Sequence, residues 1–193
     1  MPEPTLQPEA AYAAIVELVA RGGWLGLDTE TTGIEVHDQV VDLAIVTADG
    51  QVLFESLART SLPIHPGAFA KSGIQADGLK CAPEWPEVWR RAADLLAGRE
   101  VVAFNAEFDS GAIAQTCSAH SLAPIPVRWI CAQRLLSPLW SREKVSLRRV
   151  CQDLAIEPGT HRAASDAVAM VRALRAVAER PMVVRIREIR GAG

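Results

Sequence analysis

Hydrophobic positions recur along the chain with two periods, and the switches between them mark out its elements. Ala11, Ile15, Leu18 and Val19 return at helical spacing over residues 8–21, which predicts an amphipathic helix. Gly22-Gly23 stops it. The apolar run Trp24-Leu25-Gly26-Leu27 reads as a strand ending at Asp28. A loop over 34–38 leads to a second strand, 40–47. Ala48-Asp49-Gly50 has the composition of a hairpin turn, and a third strand follows over 51–57. The first three strands therefore form an antiparallel meander. Residues 60–82 are punctuated by Pro63, Pro66, Gly67, Gly73 and Gly78, with room for a short helix over 67–71.

The second half changes period repeatedly. A helix is expected over 83–96, with Trp85, Val88, Trp89 and Ala92 on one face and Gly98 closing it. A short buried strand over 100–104 precedes Asn105, a good N-cap residue, and a helix over 106–120. Residues 127–131 read as a fifth strand. Helices over 146–154 and 162–179 bury Leu147, Val150, Cys151 and Leu154, then Val168, Val171, Leu174 and Val177. A meander followed by helix-crossover strands predicts an α/β fold with a mixed five-stranded sheet and helices on both faces. Residues 1–180 are expected to form one domain with an N-terminal helix. Residues 181–193 make a short tail alternating basic and apolar residues, readable as an edge strand, a partner segment or a frayed end.

Composition adds constraints. A chain of 193 residues, 49% apolar with mean hydropathy +0.12, can fill a sizeable core. Four cysteines at 81, 117, 131 and 151 show no CxxC spacing, and read as small apolar residues of a reducing compartment. The N-terminal stretch lacks a basic region, and Glu9 and Glu17 interrupt its apolar residues, so no secretory signal is expected. The longest charge-free stretch, 110–127, is too polar to span a bilayer. A cytoplasmic location and no membrane partner follow as expectations. The formal charge of -3 argues against an anionic partner only until bound cations are counted. Two divalent ions would reverse its sign.

The candidate chemistry starts at Asp28-Thr29-Glu30-Thr31-Thr32-Gly33. With a side-chain period of two, Asp28 and Glu30 share one face of the strand. Carboxylates so close raise each other's pKa unless a positive charge intervenes, and a hard divalent cation on oxygen ligands is the usual answer. The plainer reading is a solvated strand-end pair. Glu107 and Asp109 follow a buried strand, where α/β sheets build their sites. An acid in a first helical turn is also ordinary helix-end decoration. In His161-Arg162-Ala163-Ala164-Ser165-Asp166 the His and the Asp cannot share one helical stripe, so His161 belongs to the loop freed by Pro158-Gly159 and Asp166 to the helix, facing inward. A His on a loop beside carboxylates suits a general base; a surface His and a capping Asp are the plainer reading.

The order Asp28/Glu30, Asp109, His161/Asp166 resembles the DnaQ-like 3′–5′ exonucleases. These form the DEDDh branch of the DEDD family, which includes the proofreading epsilon subunit of bacterial DNA polymerase III. The resemblance runs over about residues 22–178. It implies a ribonuclease H-like fold and hydrolysis of single-stranded 3′ ends to nucleoside 5′-monophosphates. It implies two cations, Mg²⁺ or Mn²⁺, held by Asp28, Glu30, Asp109 and Asp166, with Asp109 acting through water and His161 as general base. An all-oxygen site suits those ions rather than zinc. Thr31, Ile34, Phe108 and Ser72 are the candidate substrate contacts, with plain core as the alternative for Phe108. Tyr12 is the one tyrosine, far from the third motif, so the tyrosine-using branch is excluded.

Two positions depart from the family pattern. Asp42 stands where the second strand usually carries Glu. Ser72 stands where a His usually precedes Gly-Ile, and the neighbouring Lys71 offers an alternative phosphate contact or a merely solvated lysine. Three readings stand: an exonuclease on DNA, alone in repair or with a polymerase; an RNA-trimming enzyme similar to ribonuclease T; and a non-cutting module that binds a replication partner. Thr29, where oligoribonuclease-like chains tend to carry Met, favours DNA.

Overall fold

The computed structural model describes residues 6–123 and 125–180. Helix α1 (Pro8–Arg21) ends at Gly22, whose φ of +61° is open to glycine. Strands β1 (Leu25–Thr31), β2 (Val40–Thr47) and β3 (Val52–Leu57) form the expected antiparallel meander. Helices α2 (Pro66–Ser72) and α3 (Ala76–Leu79) interrupt the irregular stretch, and α4 (Trp85–Leu96) follows. Strand β4 (Glu100–Ala103) lies parallel to β1, and β5 (Arg128–Cys131) lies parallel to β4. Between them runs α5 (Ala106–Ala119). After β5 come α6 (Ala132–Leu136) and a 3-10 turn (Ser137–Trp140), which the apolar pattern did not resolve. Helices α7 (Leu147–Asp153) and α8 (Ala163–Ala178) complete the described chain. The sheet order is β3-β2-β1-β4-β5, a mixed five-stranded sheet as expected.

Strand alternation divides the core into two layers. Leu25, Leu27, Leu43, Ile45 and Val101 face one side, where Trp85, Trp89 and Ile113 of α4 and α5 cover them. Trp24, Val46 and Val102 face the other side, under α1 and the Met170, Val171 and Leu174 stretch of α8. Gly26 sits where α8 crosses the central strand. A methyl group there would lie 2.7 Å from Val46 Cγ2, 3.1 Å from Val171 Cγ2 and 3.3 Å from Met170 Cε. A glycine inside a strand marks such a close backbone approach, and this one seats α8 directly over β1.

Some expectations need correction. Asn105 makes no side-chain cap bond to α5; its carbonyl accepts the Phe108 and Asp109 N–H groups instead. Of the four cysteines, Cys117 and Cys151 are buried, but Cys81 is exposed. Among the described residues no helix is long and apolar enough to cross a membrane. The tail reading, on 181–193, lies outside the described residues.

Candidate active site

The site begins where β1 turns away from the sheet. Asp28 and Glu30 lie opposite Ala44 and Asp42 of β2, on the face that α8 covers. Both are half-buried in a strand whose other residues are buried. Burial is the first cause raising the Asp28 carboxyl well above its usual range, followed by the negative charges of Asp109, Asp166, Glu30 and Asp42. Burial and the charges of Asp166, Asp42 and Asp109 push Glu30 up to about 8, with Lys71 opposing.

Asp109 approaches from the other side of β1. It lies in the first turns of α5, is 3% exposed, and its Oδ1 accepts the Thr29 N–H at 3.0 Å and the Thr29 hydroxyl at 2.8 Å. These two bonds fasten the helix to the strand between the two β1 acids. Burial pushes Asp109 up to about 7, the Thr29 bonds acting against it. The neighbouring Glu107 points to solvent, with Arg134 at 3.9 Å, so of this acidic pair only Asp109 enters the cluster.

Asp166 lies in the first turn of α8. Its Oδ1 accepts the His161 backbone N–H at 3.2 Å and the Ser165 hydroxyl at 3.3 Å. Burial raises its carboxyl, and the charge of His161 is the leading opposing cause. His161 has φ +57°, a left-handed conformation uncommon outside glycine. Its ring Nδ1 stands 3.8 Å from Asp166 Oδ2, and its side chain is 42% exposed. Gly159 makes this packing possible: a Cβ there would fall 1.8 Å from Asp166 Oδ1. The sequence marked Gly159 only as a chain breaker; that it lies against a carboxylate is a tertiary fact.

Glu30, His161 and Asp166 offer ligand atoms that all lie within 4.8 Å of one another. A divalent cation fits this place physically, because clustered acids forced to hold protons are relieved by added positive charge. The presence of a ring nitrogen makes the donor set mixed rather than all-oxygen, so borderline cations join the hard ones as candidates.

A cleft of about 180 Å³ opens between the loop after β1 and α5, lined by residues next in sequence to Glu30 and Asp109 but not by the clustered acids themselves. Thr31, Ile34 and Phe108 all line it. Ile34 is 82% exposed, and Phe108 is half-buried rather than a core residue. The loop is braced by Asp38, which accepts the Thr32 hydroxyl at 2.6 Å and the Glu35 N–H at 2.7 Å. Ser72 stands apart from these three. Its hydroxyl donates to Ala68 at 3.0 Å and accepts the Ile74 N–H at 3.2 Å, finishing its own helix.

Asp42 proves more involved than its sequence suggested. It is wholly buried, and its Oδ2 accepts Arg162 Nε at 2.7 Å. The signal was present: one acid in the otherwise apolar Val40-Val41-Asp42-Leu43-Ala44-Ile45-Val46 cannot be buried without a partner.

The family model described as Exonuclease matches residues 25–174 of the chain. Over 107 residues, 53% of the chain, the sequence is 36% identical to the PolC-type DNA polymerase III of Bacillus cereus, and covers 8% of that much longer protein. The fold is similar to that of exonuclease X in complex with 5′ overhanging duplex DNA, with TM-score 0.60 and 25% identity over 86% of this chain and 99% of that one. It is also similar to the nuclease domain of 3′hExo, a DEDDh family member, bound to rAMP, with TM-score 0.65 and 15% identity over 78% and 89% of the two chains. At that identity the second likeness is one of fold.

Proposed function

Because the chain belongs to the exonuclease family, with the DnaQ-like DEDDh pattern in its motifs, we propose that it removes nucleotides from the 3′ end of single-stranded DNA by metal-dependent hydrolysis. The observation that carries the reading is the meeting of Asp28, Glu30, Asp109 and Asp166 from three separate elements with His161 beside them. Asp28, Glu30 and Asp166 would hold divalent cations, Mg²⁺ or Mn²⁺ in the first instance. Asp109, with Oδ1 fixed by Thr29, offers its other oxygen. Bound there, two such ions supply charge stabilisation for the attacking and leaving oxygens of an in-line displacement.

The remaining chemistry belongs to the chain. His161 presents an exposed ring beside the carboxylates, and an imidazole nitrogen can accept a proton. It takes the proton of the attacking water. Asp166 holds the His161 backbone and attracts the protonated ring. Thr31, Ile34 and Phe108 receive the terminal nucleotide in the cleft, with aliphatic and aromatic faces that grip any base. Phosphodiester hydrolysis there releases nucleoside 5′-monophosphates. DNA is preferred over RNA on two grounds: Thr29 in the first motif, and the likeness to exonuclease X, solved with DNA. The polymerase likeness favours work beside a polymerase or in repair.

One experiment tests the substrate and the chemistry together. Labelled single-stranded DNA, paired DNA, mismatched DNA and RNA are compared under Mg²⁺ and under Mn²⁺. Release of 5′-mononucleotides from unpaired DNA ends is expected, stopped by EDTA. His161→Ala should lower kcat about a hundredfold or more, the usual contribution of a general base. Faster release from RNA would move the reading to the ribonuclease T-like alternative, and no release from any substrate to the non-cutting module.

A further inference from the structure

We infer that Asp42 and Arg162 are a positioning pair, which holds the backbone that presents His161 to the Glu30–Asp166 cluster. The inference rests on the reading of His161 as the base and says what sets that residue in place.

Four observations carry it. Asp42 has no exposed surface and stands opposite Glu30 in the sheet register. Its Oδ2 takes both the Arg162 Nε at 2.7 Å and the Ala163 N–H at 3.4 Å, the first amide of α8. Arg162 supplies no side-chain cap to α8, and Asp42 brings a carboxylate to this helix start from β2, in addition to Asp166 of the helix's own first turn. The carboxylate thereby ties the beginning of α8 to the middle of the sheet. His161, the residue before Arg162, is held at φ +57° and would relax toward a commoner conformation if released. It is restrained on one side by its own N–H bond to Asp166 and on the other by Arg162.

Stability does not account for the pair. A buried ion pair is often no better than apolar residues of the same volume. Among the described residues only one of the two Asp42 oxygens is answered, since no protein group hydrogen-bonds Asp42 Oδ1. Moreover its charge works against the site, adding to the repulsion on Asp28 and Glu30. A negative group kept where it disfavours the ionised cluster is explained by geometry. It keeps Arg162, and so His161, in one place.

The test compares Arg162→Gln in the native chain and in the His161→Ala background. Arg162 is 40% exposed, so the variant should fold, which circular dichroism checks. A loss in kcat of roughly tenfold to a hundredfold is expected in the native background, with KM little changed. No further loss is expected once His161 is gone. Asp42→Asn should reproduce Arg162→Gln, and Asp42→Glu should retain most of the rate. Hydrogen exchange of the metal-free protein supplies a reading independent of turnover: the His161 amide should exchange faster in Arg162→Gln. Equal losses in both backgrounds, or a normal kcat beside an impaired His161→Ala, would overturn the pair. If His161→Ala itself turns over normally, the base assignment fails, and unchanged exchange at His161 would then overturn the pair as well.

Discussion

Every acid of the cluster is held by a different restraint, and the restraints determine how it ionises. Asp109 is fixed by two bonds from Thr29, Asp166 by the His161 amide and Ser165, while Glu30 is governed first by burial and then by its neighbours' charges. The pH dependence follows. Glu30 releases its proton near 4.5 in the unfolded chain and at about 8 in the folded one. Below the first value both states are protonated, and above the second both are ionised. Between them the unfolded state ionises first, so the metal-free protein loses stability as pH rises from about 4.5 to about 8. Asp28, Asp109 and Asp166 are displaced in the same direction and add to this slope. Glu30→Gln should therefore match the native melting temperature at pH 4.5 and exceed it at pH 8, both without metal. A native protein equally stable at the two pH values would refute the account. The types and spacing of these acids were legible in the sequence. Their ionisation was not, because it depends on which other charges the fold places within reach.

At the scale of the element, α8 decides the geometry. It brings Asp166 over β1, and it lies close only because position 26 has no side chain. Gly26→Ala should cost about 1–3 kcal/mol of stability through overpacking against Val46 and Val171, measured by urea unfolding. Its turnover should fall further than the fraction unfolded explains, because the helix carrying Asp166 must shift. Undiminished turnover in the folded variant would show that the seating of α8 is not critical. The elements themselves were mostly readable. The apolar run over 40–47 and the helical spacing over 8–21 gave the observed bounds of β2 and α1. The region 132–140 was opaque, since five residues of α6 running into a 3-10 turn are too short to establish any period.

For the whole molecule, the central consequence is a coupling between folding and cation binding. A ligand that binds only the folded state stabilises it by about 2.7 kcal/mol at a hundredfold excess over Kd. Mg²⁺ or Mn²⁺ should therefore raise the melting temperature at pH 8. The rise should shrink at pH 5.5, where protons compete for the carboxylates. Asp28→Asn should remove most of it. A melting temperature indifferent to both ions would argue against a cation centre.

Local chemistry along the chain determined the strands, most helices, the acidic motifs and the His loop, since periodicity, turn residues and charge spacing act over a few neighbours. The family resemblance singled out Asp42 as a departure, without naming its partner. Only the folded chain decided that Arg162, 120 positions away, would answer that acid. The same holds for Gly159, which leaves room for the Asp166 carboxylate, and for Thr29, which fastens Asp109. Such pairings are set by how two layers of helices close on a twisted sheet, and no local pattern encodes the distance between residues that meet only when those layers are in place.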